Sequence, residues 1–522
     1  MSSNRKLVRS TGLIGIATSL SRVLGFLRDI VFAAFFGTGM LAQAFLVAFR
    51  LPNMLRDLVG EGATDAAIVP ILSEYRQRST SKEYWDVAWV IFSLMSTVLF
   101  VLSALGVMFA PLIVKVIAPG FLQDPEKFAV TVHLTRWIFP YIFLIGLAAY
   151  SKGVLNSLDH FSAPAFAPAL FNCAMLFAVA VLCPVMGVNG LIFGVLAGGI
   201  LQLALQWVII RKKGFHFQKV FKLFHPISNK VVKLLIPRLA GTAVYQLSVF
   251  VDTVMASLEW IVGKGGVAAL YFGHGLIHLP FALFGISMAT AVLPRMSREV
   301  ASGETDKLKG TLVFSLNSVM LIMVPAAVGL VVLASPIIRI LFQRGEFSAE
   351  STAVTVGVLI FYAVGLPSFA GVKMLVNVFY ATGDTRTPVK TAMLAVLVNI
   401  IINLILMWPM KVAGLALATS VSSVMNFFLL YTILSKRIGD IGYSRLAGNF
   451  LRVCASGLAM GVFAFLANMW ILKGCGSGVK DLAMLAGIIS LSGLVYALAA
   501  YFTGVEGVKK IWQELLTVFR KK

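Results

Sequence analysis

The chain has 522 residues, 59% of them hydrophobic and 13% charged, with a mean hydropathy of +0.91. A soluble domain of this length needs far more polar surface, so the composition points to lipid as the solvent. The net charge of +22 would suit nucleic acid, but the basic residues sit in short loops between apolar runs, so the positive-inside rule accounts for them and no nucleic-acid partner is expected.

In hydrocarbon every backbone polar group must pair internally, which leaves helices or closed barrels. The apolar runs here are continuous and of helix length, not alternating strands of about ten residues. The expected fold is therefore an all-α polytopic membrane protein of about fourteen transmembrane helices. In chain order the spans are 11–36, 39–59, 87–118, 128–157, 163–186, 188–210 and 231–258. They continue with 266–293, 311–333, 352–381, 388–409, 412–435, 446–472 and 481–503. The first is read as a span, not a cleaved signal, because it carries Arg22 and Arg28 and no A-x-A-like site ends it.

An even count puts both termini on one side. With the termini in the cytoplasm, that side collects Arg76, Arg78, Lys82, the cluster from Arg211 to Lys230, Arg295, Arg298, Lys307, Lys309 and the tail. The opposite side holds few, among them Lys127, Lys264, Arg344 and Lys411. The expected location is thus the cell inner (cytoplasmic) membrane, multi-pass, with cytoplasmic termini.

The sequence repeats. Ala129-Val130-Thr131-Val132 recurs as Ala353-Val354-Thr355-Val356, Pro164 as Pro388 and Pro70 as Pro294, all at an offset of 224 (353 − 129). Leu51-Pro52 and Leu279-Pro280 match with a four-residue slip. Six spans per unit give both copies one orientation, hence two six-helix lobes with pseudo-two-fold symmetry about the membrane normal. The domain reading is an N-terminal lobe 1–226, a C-terminal lobe 227–440, and two extra helices with a basic tail, 441–522.

The first two spans hold unusual charge: Arg22, Arg28 and Asp29 in one, Arg50, Arg56 and Asp57 in the other. An Arg at mid-span costs roughly 2.5–3.5 kcal/mol on insertion scales and usually faces a wet cavity or a partner. Guanidinium groups grip phosphate bidentately and stay charged, so these residues are candidates for an anion site. The plainer alternative is that Arg28 and Arg56 pair with Asp29 and Asp57, or snorkel. Arg22 and Arg28 lie about 120° apart on a straight helix, so sharing a face requires a bend, for which Gly25 and Pro52 are the candidate points. Asp252, Asn399, Asn403 and Thr419 form a second polar set that could ligate a sodium ion or make ordinary interhelical hydrogen bonds. Arg238 opens the seventh span; Arg136, Lys152 and Lys373 are further cations. His274 and His278 share a face of the eighth and either titrate near neutral pH or pack neutral. Cys173, Cys183, Cys454 and Cys475 form no C-x-x-C pair and read as apolar fillers. No hydrolase or nucleotide fingerprint occurs, so an enzyme is not expected.

Ser21-Arg22-Val23-Leu24-Gly25-Phe26-Leu27-Arg28-Asp29, Phe49-Arg50-Leu51-Pro52-Asn53-Met54-Leu55-Arg56, Gly60-Glu61-Gly62-Ala63 and Val69-Pro70-Ile71-Leu72-Ser73-Glu74-Tyr75 resemble the MurJ (MviN) family of lipid II flippases. Ala118-Pro119-Gly120-Phe121, Pro164-Ala165-Phe166-Ala167-Pro168 and Thr387-Pro388-Val389-Lys390 fit the same family. The resemblance implies the multidrug/oligosaccharidyl-lipid/polysaccharide exporter superfamily fold, with two added helices forming a groove for a lipid tail. It implies flipping of lipid II, the undecaprenyl-pyrophosphate-linked peptidoglycan precursor, from the cytoplasmic to the periplasmic leaflet. It casts Arg22, Arg28 and Arg56 as cavity arginines, followed by Glu61, and implies a sodium site at Asp252, Asn399, Asn403 and Thr419. Two departures stand out: Gly275 occupies the family's usual span-eight arginine position, and Gln43 an aspartate position. Either Arg238, His274 or His278 supplies the missing charge, or substrate or activity has changed.

The expected mechanism is alternating access in the bilayer, with lipid II as the partner. The alternatives are an exporter of another polyprenyl-linked glycan, and a non-transporting scaffold for the cell-wall synthesis machinery. A membrane glycosyltransferase would need acidic metal-binding pairs, which the sequence does not offer.

Overall fold

The computed structural model describes residues 3–57, 68–216, 225–471 and 478–508, with side chains from residue 12 onward except 236–243, 245 and 479. Among them there is helix but no strand. The chain divides into two compact units, Met1–Leu258 and Glu259–Lys522.

The first unit opens with α1 (Ser3–Phe36) and α2 (Met40–Asp57), then the short α3 (Val69–Arg78). The helix α4 (Ser81–Met108) starts at a capping box: Thr80 accepts from the Glu83 N–H while Glu83 accepts from the Thr80 N–H. The short α5 (Ala110–Ile117) and a 3₁₀ turn (Pro119–Gln123) lead to α6 (Pro125–Ile138), α7 (Tyr141–Ser157) and α8 (Ser162–Phe177). A π-helical turn (Ala178–Leu182), α9 (Cys183–Met186), α10 (Asn189–Lys212) and α11 (Pro226–Ala256) complete the unit. Within it α8 packs on α1 and α10, α7 on α10 and α4, and α2 on α6. An aromatic core of Trp89, Phe92, Tyr150 and Phe215 fills the space beside α4 and α7. Aromatic pairs in such contacts add about 0.5–1.5 kcal/mol beyond area burial.

The second unit begins with α12 (Glu259–Val262) and α13 (Gly266–Pro280), joined through a π-helical turn (Phe281–Ile286) to α14 (Ser287–Ala301). It continues with α15 (Thr305–Val332), α16 (Ala334–Phe342), α17 (Ala349–Ala381), α18 (Arg386–Ile438), α19 (Tyr443–Ile471) and α20 (Val479–Phe502). α17 packs against α18 and α15, α15 against α19, and α19 against α20. Helix α18 is two helices joined at Lys411, which takes φ 53° and ψ −138° just after Pro409.

Among the described residues ten helices are long and apolar enough to cross a membrane. Several predicted spans change shape. The span expected at 87–118 divides into α4 and α5, and that at 128–157 is broken at Phe139 and Pro140. Neither expected bend point breaks its helix: α1 runs through Gly25 and α2 through Pro52. A proline in a span removes one backbone bond, and neighbouring groups re-satisfy the freed carbonyl.

Helix bounds recur at the sequence offset. Ser81–Met108 and Thr305–Val332 are separated by 224 at both ends (305 − 81 and 332 − 108). The same shift relates the starts of α5 and α16 (334 − 110), α6 and α17 (349 − 125), and α8 and α18 (386 − 162). It also relates the capping residues Asp124 and Ser348, each of which accepts a backbone N–H of the first turn of its helix.

Candidate functional site

The arginines of α1 and α2 are held by several other helices of the first unit. Arg28 donates from Nε and Nη2 to Asp29 Oδ1, at 3.0 and 2.8 Å, and from Nη1 to Asn172 Oδ1 of α8 at 3.1 Å. Asn172 is in turn fixed by donating to the Ser21 carbonyl at 2.9 Å. It lies so close to α1 that a Cβ at Gly25 would sit 3.3 Å from its Nδ2. Gly25 therefore serves as a seat for Asn172, not as a bend.

Arg56 repeats the pattern. Its Nε and Nη2 donate to Asp57 Oδ1, at 3.2 and 2.9 Å, while Gln246 of α11 donates to Asp57 Oδ2 at 3.4 Å. The fully buried Tyr141 at the start of α7 has the guanidinium groups of Arg56 and Arg28 as its charged neighbours. Asp57 is a third charged neighbour of Tyr141, whose hydroxyl is buried without a hydrogen-bond partner of its own. The ion pairs of the two arginines are only partly buried: the side chains of Arg28 and Asp29 are 20% and 21% exposed, those of Arg56 and Asp57 37% and 30%. Arginine and phosphate oxyanions form bidentate, charge-assisted bonds, and a phosphate can compete for nitrogens that a monodentate aspartate oxygen now shares.

Arg22 lies half-exposed on α1, and among the described residues it makes no ion pair or hydrogen bond. Asp29 pairs with Arg28, not with Arg22 one face-repeat away. Arg50 donates to the Thr253 hydroxyl on α11 at 3.0 Å. Glu61 and the side chain of Arg238 lie outside the described residues, as does Cys475. Gln43 is 2% exposed. His274 and His278 are both exposed on α13, 5.8 Å apart between ring centroids, with Tyr362 edge-on to the first. Gly275 between them has open space: an added Cβ meets nothing within 4 Å.

The second polar set divides between the units. Asp252 is buried on α11 of the first. On α18 of the second, Asn403 donates to Asn399 at 3.1 Å, Asn399 to the Thr419 hydroxyl at 3.2 Å, and Thr419 to the Leu415 carbonyl at 3.1 Å. Asn403 thus bonds within its own segment, while the Asn399–Thr419 bond crosses the break at Lys411 and joins the two halves of α18. No cluster of three or more His, Cys, Asp or Glu placed to hold a metal occurs among the described residues.

The second unit also contains an apolar groove of about 430 Å³ between α15, α19 and α20, lined by Leu321, Pro325, Leu330, Met460, Ile489 and Tyr496. The Tyr496 hydroxyl donates to the Leu321 carbonyl at 2.7 Å. Beyond it a buried ring fastens the last helices to α15. Asn449 donates to Asn317 (3.0 Å), Asn317 to Glu506 (3.3 Å), and the Glu506 N–H back to Asn449 (2.8 Å). Arg445 donates to the other Glu506 oxygen at 2.7 Å.

The sequence reading missed Tyr141, Asn172, Gln246 and this ring. Their only signal was polarity inside an apolar run.

Partly exposed arginine–aspartate pairs in the first unit, an apolar groove in the second and, among the described residues, ten helices long and apolar enough to cross a membrane describe a helical membrane protein. A solved multidrug-resistance transporter in an inward-facing conformation shares that fold, with a TM-score of 0.67, 14% identity, and coverage of 82% of this chain and 99% of that one. A solved lipid II flippase MurJ in an inward closed conformation matches with a TM-score of 0.77 and 25% identity, over 97% of this chain and 99% of that one. The family model for lipid II flippase MurJ matches residues 32–478. A probable lipid II flippase MurJ of Rhizobium tropici is 33% identical over 518 residues, 98% of this chain and 96% of the relative. One from Haemophilus influenzae is 32% identical over 509 residues, 94% and 98% of the two chains. The chain belongs to the MurJ family.

Proposed function

We propose that this protein flips lipid II, the lipid-linked peptidoglycan precursor, across the cytoplasmic membrane for cell-wall synthesis. Family membership over nearly the whole chain supports the substrate. The observation that carries the chemistry is the two partly exposed arginines on the first two helices, Arg28 and Arg56, each bonded to the aspartate that follows it.

The pyrophosphate takes the place of Asp29 and Asp57 on the two arginines, with Arg22 and Arg50 adding positive field. An empty site whose arginines carry internal counter-ions avoids the cost of bare intramembrane charge. The polyprenyl tail stays in lipid or in the apolar groove, because burying each CH₂ is worth about 0.8 kcal/mol. The membrane potential, negative inside, favours outward anion movement by about 2.3 kcal/mol per charge per 100 mV. The two lobes alternate in access around the site.

Fourteen spans underlie this reading: the ten apolar helices, a second span gained by dividing α18 at Lys411, and the charge-bearing α1, α2 and α11. The recurring helix bounds support two matched six-helix lobes, 1–226 and 227–440, followed by α19 and α20. Both termini are cytoplasmic, on the loop charges. The Asn399–Thr419 bond fastens the two halves of α18 to each other.

The test is rescue of a host depleted of its own flippase, with exposure of lipid II on the outer leaflet as readout. Rescue with restored exposure is expected. Membrane insertion without exposure would remove the lipid II assignment and leave the scaffold reading.

A further inference from the structure

The break at Phe139 and Pro140 makes Tyr141 the first residue of α7. Its ring is held from several sides. Phe49 of α2 lies 5.7 Å away and Phe171 of α8 5.5 Å, between ring centroids. Helix α10 comes so close that a Cβ at Gly199 would sit 2.9 Å from Tyr141 Cδ2. A ring packed this tightly keeps its hydroxyl in one place. The side chain is fully buried, and among the described residues its hydroxyl has no hydrogen-bond partner. A buried hydroxyl left unpaired destabilises a fold, so native proteins rarely keep one without a use.

The charged neighbours decide what use is open to it. Two of them, Arg56 and Arg28, are guanidinium groups, which donate hydrogen bonds and accept none. Asp57 is the third, and of the three it alone can accept. Both of its oxygens are engaged: Oδ1 accepts from Arg56 at 3.2 and 2.9 Å, and Oδ2 from Gln246 at 3.4 Å. An anion that draws Arg56 away leaves Oδ1 bare while Oδ2 stays held. The duplicated backbone does not itself require this tyrosine. At the 224-residue offset the second unit has Gly365, where a Cβ would lie 2.4 Å from Ser420 Oγ. Tyr141 thus belongs to the unit that carries the arginines.

We propose that the Tyr141 hydroxyl receives Asp57 when a pyrophosphate takes Arg56, and so sets how readily the anion is exchanged for the carboxylate. Arg56 trades one oxyanion for another, and Asp57 Oδ1 trades a guanidinium for a phenol donor that keeps its proton. The inference rests on the anion site of the proposed function and deepens it. Tyr141 is a positioning residue: it bonds to the displaced carboxylate, not to the anion. Its hydroxyl therefore costs stability while Asp57 holds Arg56 and returns it when the anion does.

The experiment follows thermal unfolding of the purified full chain in detergent, with and without inorganic pyrophosphate at constant ionic strength. Tyr141→Phe removes the hydroxyl and keeps the ring. Two effects of opposite sign are expected. Without pyrophosphate the variant unfolds about 1–2 °C above the parent, because an unpaired polar group is gone. With pyrophosphate it binds the anion about tenfold more weakly, read from the concentration that gives half the stabilisation. In an Asp57→Ala background no carboxylate is set free, and Tyr141→Phe then changes affinity by less than about twofold. A variant that accumulates poorly or unfolds below the parent overturns the inference, since the hydroxyl would then already be paired. Equal pyrophosphate affinity in parent and Tyr141→Phe overturns it too. A tenfold loss that persists in the Asp57→Ala background overturns the transfer to Asp57 and puts the hydroxyl on the anion itself. These three outcomes leave the arginine site standing. A parent that pyrophosphate does not stabilise overturns that site and this inference with it.

Discussion

The two units contain matching helices with opposite chemistry. In the first, α2 carries Arg50 and Arg56, both held by hydrogen bonds to α11 or to an adjacent aspartate that α11 contacts. In the second, α13 carries the matching Leu279-Pro280 step, yet His278 stands where Arg50 stands, and Gly275 and His274 complete an exposed, arginine-free face. Its specialised feature is the apolar groove. On the proposed function, a duplicated backbone divides the work on an amphipathic substrate: the first unit would grip the anion, and the second would accommodate apolar chain.

The strongest way to break that division is to remove charge from the first unit. Arg28→Ala and Arg56→Ala each delete two or more charge-assisted bonds, worth about 1.5–3 kcal/mol apiece. Each is expected to lower lipid II exposure by about a hundredfold or more at equal expression. Asn172→Ala should lose less, about tenfold, because Arg28 keeps Asp29. Arginine variants that still support full exposure would place the grip elsewhere.

The second unit is tested by filling its groove. Gly329 lines the groove and a Cβ added there meets only Met460 Cε, at 3.8 Å, so Gly329→Leu is the substitution that starts to fill the space. Displacing two or three tail methylenes costs about 0.8 kcal/mol each. A drop of roughly tenfold in flipping is expected, relieved by a substrate with a shorter tail. Loss that is independent of tail length would mean the groove serves packing alone.

Corners at equivalent positions sharpen the comparison. In the second unit Asp384 caps the start of α18 by accepting from the Arg386 and Thr387 N–H groups at 2.9 Å, and it pairs with Arg437. The Thr387 hydroxyl above all, with those backbone bonds and Arg437, holds its carboxyl well below the usual range. At the matching positions (384 − 224, 437 − 224) the first unit has His160 and Lys213. There burial, and then Lys213, push the His160 pKa down, while Arg76 reaches instead to Asp159 and the Ser157 carbonyl. The signs differ. Asp384 stabilises above the unfolded carboxyl's pKa of about 3.9, and that support is lost only as pH falls further, through its depressed value. His160 binds its proton more weakly folded than unfolded, so the first corner weakens as pH drops below about 6.5. Asp384→Ala is expected to cost about 1–2 kcal/mol in thermal unfolding. Asp159→Ala, whose side chain is 74% exposed, should cost under about 1 kcal/mol. His160→Ala should flatten the stability change between about pH 7 and 5. An unaltered pH profile in that variant would remove His160 as the titrating group.

The repeat and the apolar runs were legible because they are local patterns. A recurring Ala-Val-Thr-Val and spaced prolines mark helices that the structure places with matching bounds. The charged candidates were legible as misfits in hydrocarbon. Their partners were not: Arg28 meets Asn172 144 residues away and Gln246 meets Asp57 189 residues away, and no spacing rule encodes such meetings. Bends were legible only in part. Pro52 was expected to turn its helix and leaves it continuous, whereas the break at Lys411 adopts a positive φ that a lysine side chain does not signal.

The smallest expected effect comes from adding charge to the second unit. Gly275 lies between two exposed histidines on α13, and a side chain there meets open space. If that space is wet, Gly275→Arg changes stability by no more than about 0.5 kcal/mol, as an unconstrained surface substitution does. If it faces lipid, the guanidinium costs roughly 2.5–3.5 kcal/mol and accumulation falls. The wet outcome is expected, because the polar side chains that flank Gly275, His274 and His278, are both exposed. One exposed cation then adds about 0.2–1 kcal/mol to anion attraction, or up to about fivefold in lipid II affinity. Normal accumulation with no change in affinity would show that the arginine pair of the first unit holds the headgroup without help from α13, and the division of labour would be complete.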